Sequence, residues 1–134
     1  MELREPTLYA RTGAGDDAVL LALRDPATGA LAFPRTPYGV GATGTPAEAA
    51  EQVEFSGCGE VLVCVTVHQP LSPGMQVPLL VARLRLEEGI VLDGIIEGTE
   101  EPAPGTKVRA VLVPEDREGG TVLGCRFRVL AGVA

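Results

Sequence analysis

Between residues 55 and 98 three apolar runs follow one another, and turn-forming residues stop each of them. Val61-Leu62-Val63-Cys64-Val65-Thr66-Val67 is closed by His68-Gln69-Pro70, residues 79–86 by Glu87-Glu88-Gly89, and residues 90–96 by Glu97-Gly98. Short runs rich in Val, Leu and Ile and bounded by Gly or Pro read as strands rather than helices. Ser56-Gly57-Cys58-Gly59 forms the turn that leads into the first run. A chain built around three such strands has little choice but to form a β-sheet.

Two more strands follow. After the Pro-rich acidic loop 99–105, Thr106-Lys107-Val108-Arg109-Ala110-Val111-Leu112-Val113 begins by alternating charged and apolar residues. Residues 114–120 read as a turn, and 121–130 alternate again. In that last strand Leu123, Cys125, Phe127 and Val129 are expected on one face, with Arg126 and Arg128 on the other. The same parity in the second run places Leu80, Ala82, Leu84 and Leu86 inside and Arg83 and Arg85 outside. Period two marks a sheet with one buried face. Five strands joined by short turns are expected to close into a barrel, because closure removes exposed edges. An all-β, five-stranded OB-fold barrel is therefore the expected architecture, with a β-sandwich second, since a sandwich calls for about seven strands.

The residues before the barrel divide at 17 and 54. Residues 1–17 are polar and read as an N-terminal extension. Their Gly13-Ala14-Gly15 is no dinucleotide fingerprint, because no strand precedes it and a third glycine is missing. Residues 18–24 and 29–33 read as a hairpin around Asp25-Pro26-Ala27-Thr28-Gly29, which has strong turn chemistry. Residues 34–46 are crowded with Gly and Pro, so a long exposed loop is expected. Thr45-Pro46-Ala47-Glu48 has the capping-box pattern and predicts a short helix as far as Glu51. The barrel then spans 55–134.

At 134 residues the chain is long enough for a real core. No apolar run approaches the ~20 residues of a membrane helix, and the N-terminus lacks the apolar region of a secretory signal. A cytoplasmic protein that engages no membrane is expected. Eighteen acidic and 11 basic residues give a formal charge of -7. That balance argues against nucleic acid, whose phosphates are met by many Lys and Arg. Single-strand binding by an OB-fold also needs aromatic platforms, and the chain has two Tyr, three Phe and no Trp. Even so, the basic residues are gathered locally: Arg83, Arg85, Lys107, Arg109, Arg126 and Arg128 all lie in the later strands. Cys58, Cys64 and Cys125 form no CxxC pair, and they are expected as reduced, buried hydrophobes.

Phe33-Pro34-Arg35, then Val53-Glu54-Phe55-Ser56-Gly57-Cys58-Gly59-Glu60-Val61, Thr66-Val67-His68, Pro78-Leu79-Leu80-Val81-Ala82 and Leu86-Glu87-Glu88-Gly89 occur in a characteristic order. Together, over roughly residues 21–113, they resemble the acyl-CoA-associated OB-fold family with an N-terminal rubredoxin-like zinc ribbon (domain-of-unknown-function family thirty-five). In that family two CxxC pairs flank the Phe-Pro element and hold a structural zinc. Here the matching positions are Asp25 and Thr28, then Gly39 and Ala42, give or take a residue. None supplies a thiolate, so residues 18–54 are expected to form a degenerate, metal-free ribbon-like hairpin and loop. Stoichiometric zinc in the purified protein would overturn this expectation. Losing a zinc removes on the order of 10 kcal/mol of folding free energy in small zinc modules. Docking of Leu20, Leu31 and Phe33 onto the barrel or a partner chain is the expected substitute.

The resemblance implies a non-catalytic subunit bound to a thiolase-superfamily enzyme: a thiolase, an aldolase of the lipid-transfer-protein type or a related acyltransferase. Some members instead accompany enoyl-CoA hydratases. The chain is then expected to bind no cofactor itself, with a coenzyme A thioester as substrate of the hetero-oligomer. Candidate contacts to coenzyme A or the partner are Phe33, Pro34, Arg35 and Tyr38, together with His68. The plainer reading of Arg35 is a solvated loop arginine, and of His68 a strand-end histidine bonded to backbone or solvent. Cys64 shares a strand face with His68 but lies four residues, about 13 Å, away. Asp93 and Glu97 are similarly separated, and no triad, phosphate loop or metal cluster is present in the sequence. An OB-type module for single-stranded nucleic acid or another ligand is the alternative.

Overall fold

The computed structural model describes residues 3–6, 8–12, 15–33, 35, 39–40, 43–70, 76–117 and 120–130. Among them the chain is all-β: β1 (Tyr9–Arg11), β2 (Ala18–Arg24), β3 (Leu31–Ala32), β4 (Glu51–Phe55), β5 (Cys58–Val67), β6 (Leu79–Leu86), β7 (Val91–Ile96), β8 (Lys107–Arg117) and β9 (Gly120–Val129). Among the described residues no helix is long and apolar enough to cross a membrane. The strands β5-β6-β7-β9-β8 close a five-stranded barrel, as the OB-fold expectation requires. The chain forms two compact units, Met1–Ser56 with Leu112–Gly124 and Gly57–Val111 with Cys125–Ala134, and each is described in turn.

In the first unit β2 is the central strand. It pairs antiparallel with β4 from Leu20 to Arg24 along one edge, while β1 and β3 divide the other edge. A strand covered this way is buried along its length: Ala18, Leu20, Leu21, Ala22 and Leu23 are all at or below 8% exposure. The hairpin expected at residues 18–33 is present, with Leu23 facing Ala32 and Arg24 facing Leu31. Within the first 17 residues, Tyr9 is buried and its hydroxyl donates to the Leu123 carbonyl at 2.8 Å.

Three expectations for this unit are corrected. The helix predicted to reach Glu51 is a single 3-10 turn, Ala47–Ala49. Helix nucleation needs more residues than that, and from Glu51 onward the backbone instead satisfies the open edge of β2 through five paired positions. The loop 34–46 is not wholly exposed, because Val40 is fully buried and bridges to Thr45. The turn expected from Pro114 lies later, since β8 continues to Arg117. Pro114 is exposed, where a residue without an N–H is tolerated in a strand.

The second unit contains β5, β6, β7 and the adjoining parts of β8 and β9. Its core is Val61, Leu80, Ala82, Leu84, Leu86, Ile96, Val108, Ala110, Val111 and Phe127. The parity expected for β6 holds residue by residue, with Arg83 and Arg85 exposed between buried neighbours. Gly94 on β7 is required by packing, since a Cβ there would lie 2.6 Å from the Phe127 ring.

β5 breaks the pattern. Its pairing with β6 shifts register between Val61 and Val63, a β-bulge. One extra residue sends every later side chain to the opposite face. Val61 is buried, but Val63 and Val65 are exposed by 52% and 53%. The first apolar run is therefore only partly interior. Val129, expected inside, is also exposed, and the three cysteines are half-buried rather than buried.

Candidate functional site

The turn that opens the ribbon-like segment is organised by one carboxylate. Asp25 is 5% exposed and accepts hydrogen bonds from the Ala27 N–H at 2.9 Å, the Thr28 hydroxyl at 3.1 Å and the Thr45 hydroxyl at 2.9 Å. Thr45 in turn shares a 2.8 Å hydrogen bond with Thr43, and Val40 and Thr45 exchange backbone contacts. The Ala27 N–H and then the Thr45 hydroxyl hold the Asp25 carboxyl below the usual carboxylate range. Asp25 and Thr28, which the resemblance matches to ribbon metal ligands, thus lie in a hydrogen-bonded cluster that ties the 25–29 turn to Val40, Thr43 and Thr45. No group of three or more His, Cys, Asp and Glu that could hold a metal occurs among the described residues.

Phe33 and Arg35 meet this same unit. The Phe33 ring lies tilted against Phe55 with centroids 6.5 Å apart. Arg35 donates from Nε to the Ala22 carbonyl at 3.0 Å and from Nη2 to the Val53 carbonyl at 3.2 Å. Ala22 and Val53 are register partners on β2 and β4, so the guanidinium clamps the two strands together. A planar fork of donors suits this bridging role better than a lysine would. Pro34 and Tyr38 lie outside the described residues.

His68 sits in the second unit, exposed and just past the end of β5. Cys64, on the same strand, has its thiol pushed up by burial and then by the nearby Glu101 carboxylate, which keeps it protonated and weakly nucleophilic. Each of the two carboxylates on β7 and its end is taken by an arginine. Arg83 donates to Asp93 at 3.0 and 3.4 Å, and Arg128 to Glu97 at 2.6 and 3.5 Å. Among the described residues none of these groups is shown paired with an acid, base or nucleophile in the manner of a catalytic site.

What the sequence reading missed lies on the outside of the barrel. The bulge turns Val63 and Val65 outward, and register sets Val65 beside Val81 and Val81 beside Ile95. Val67 beside Leu79 extends this face. The signal that betrays it is structural: alternation alone counts these valines as core.

Residues 52–113 match the family model described as the C-terminal OB-fold domain of ChsH2. The barrel segment is thus similar to ChsH2-type OB-fold domains. This agrees with the resemblance carried by the motifs between Phe33 and Gly89. The structure is also similar to a chain of the solved Ltp2-ChsH2(DUF35) aldolase, with a TM-score of 0.58 and 26% sequence identity. That similarity covers 82% of this chain and 84% of the other, so it extends beyond the ChsH2-type OB-fold segment. A search of curated proteins returned no match.

Proposed function

We propose that this chain is a non-catalytic accessory subunit of a thiolase-superfamily enzyme acting on coenzyme A thioesters. The observation that carries the reading is the likeness to the ChsH2(DUF35) component of an aldolase over about four-fifths of both chains. Its own chemistry supports the same conclusion: Cys64 is held as a thiol, His68 is exposed at a strand end, and Asp93 and Glu97 are bound to arginines. The exposed aliphatic side chains of Val63 and Val65 suit burial against another protein.

In this reading the partner supplies catalysis, and this chain stabilises it and helps to shape its acyl-CoA site. The Asp25 cluster takes over from zinc in tying the ribbon-like turn together. Arg35 acts by clamping β2 to β4, and Phe33, Pro34, Tyr38 and His68 are the proposed contacts to the partner or coenzyme A. The test is co-purification of the tagged full chain from its native cell, with mass-spectrometric identification of what it retains. A thiolase-like chain in near-stoichiometric amount is expected. Recovery of the chain alone, or with nucleic acid, sinks the proposal. Metal analysis of the same complex checks the ribbon, where zinc at one equivalent per chain would refute the role given to Asp25.

A further inference from the structure

The barrel's charged residues are not paired alike. Arg83 and Arg128 hold their carboxylates through contacts of 3.0 and 2.6 Å. Glu60, in contrast, is shared by two cations: Arg85 Nη1 lies 3.6 Å from Oε1 and Lys107 Nζ lies 3.6 Å from Oε2. Both contacts exceed good hydrogen-bond length, and one negative charge serves two positive ones. The register explains the arrangement. Glu60 on β5 faces Arg85 on β6 and Lys107 on β8, so the three stand in a row across adjacent strands. Two residues along on the same face, Cys58 is set beside Arg109.

These side chains line a cavity of about 470 Å³ within the second unit, which Glu87 also borders. Arg85 and Lys107 set two cations on the single carboxylate of Glu60, in a chain whose net charge is -7. Arg85 and Lys107 are about half exposed, so their donors can turn to an incoming anion. Strand geometry separates Lys107 from Arg109 by about 6.6 Å and Arg85 from Lys107 by roughly 10 Å across two strand spacings. A single carboxylate is too small to span Arg85 and Lys107; a diphosphate with its oxygens spread over several ångströms fits that spacing.

We propose that this cavity binds the diphosphate group of a small ligand, through Arg85 and Lys107, with Glu60 as the internal competitor that the ligand displaces. The site lies in the second unit alone and does not depend on the partner reading. Titration calorimetry on the full chain at fixed salt tests it with three probes: sodium pyrophosphate, ADP and adenosine. Pyrophosphate and ADP are expected to bind at one per chain, and adenosine is not. ADP binding more tightly than pyrophosphate points to a nucleotide ligand, and equal affinities point to the free anion; either outcome supports the site.

The variants separate it from general ion attraction. Lys107→Gln and Arg85→Gln should each weaken pyrophosphate about tenfold or more, while Glu60→Gln should strengthen it several-fold. Arg83→Gln, on the same strand but outside the cavity, should change it less than twofold. The conservative Glu60→Gln keeps the proposal testable if a cation variant fails to fold. No pyrophosphate or ADP binding, or equal losses from Arg83→Gln and Lys107→Gln, overturns the site. The partner reading survives that result, because co-purification does not involve the cavity.

Discussion

β5 and β6 lie side by side in one barrel and are built from the same kinds of residue, yet they treat their apolar side chains differently. β6 keeps strict alternation, so Leu80, Ala82, Leu84 and Leu86 are all buried and the arginines between them face water. β5 begins the same way at Val61, then spends one residue on a bulge and turns Val63 and Val65 outward. The lesson is that hydrophobic content does not say which side of a barrel a strand stabilises. β6 builds the core, whereas β5 divides its valines between the core and the outer surface.

That contrast can be broken by experiment, beginning inside. Leu84 is fully buried, so Leu84→Ala should cost about 2–5 kcal/mol in denaturant unfolding, through lost burial and the cavity left behind. Gly94→Ala should cost less, about 1–3 kcal/mol, because the Phe127 ring must move to admit one methyl group. A neutral Gly94→Ala would mean that the ring has room to shift and that packing around β7 is looser than the contact implies.

Much of this was legible in advance. Runs of Val and Leu between Gly and Pro announced five strands, and β6 and β7 fell within a residue of expectation because short turns and alternation left no competing arrangement. The bulge was not legible. Nothing in Val61-Leu62-Val63 distinguishes a regular strand from one with an extra residue, since the choice depends on how β5 must bend along its neighbour. β4 was missed for a related reason. Thr45-Pro46-Ala47-Glu48 is sound local helix-start chemistry, but the open edge of β2 outweighed it. At the candidate site, Asp25 and Thr28 could be named from the resemblance, which matches them to the ribbon's metal ligands. Their convergence with Thr45, 20 residues on, could not be, because a hydrogen bond between hydroxyl and carboxylate leaves no spacing rule in the sequence.

A smaller effect is expected where the outer face of β6 and β7 carries charge. Arg83 lowers the Asp93 carboxyl, chiefly through its hydrogen bonds, and both side chains are 59% exposed. A carboxyl lowered in the folded state stabilises above its unfolded value, near pH 4, and loses that contribution as pH falls through the folded value. Asp93→Asn should therefore reduce the melting temperature slightly at pH 7 and low salt, by less than Gly94→Ala does. The gap should close once the pH falls below the folded value, and in 1 M salt, where the pair is protonated or screened. A gap that persists in acid would assign the loss to something other than the ion pair.

The smallest effect on stability should come from β5's outward side, and it is the sharpest test of the bulge. Val65→Thr keeps the β-branched shape that strands favour and changes one exposed methyl group to a hydroxyl. With Val65 half exposed, unfolding should move by no more than about 0.5 kcal/mol. If Val65 instead faced the core, as unbroken alternation from Val61 would have it, the buried hydroxyl would cost about 1–3 kcal/mol and approach the Leu84→Ala result. The same variant separates stability from association. Should the outer face of β5 be covered by the proposed thiolase-like partner, the hydroxyl would lose its water there. Affinity for the partner should then fall by about 1–3 kcal/mol while the isolated chain remains as stable as before. Unchanged affinity would move the partner to another face of the barrel and leave Val63 and Val65 as ordinary exposed strand residues.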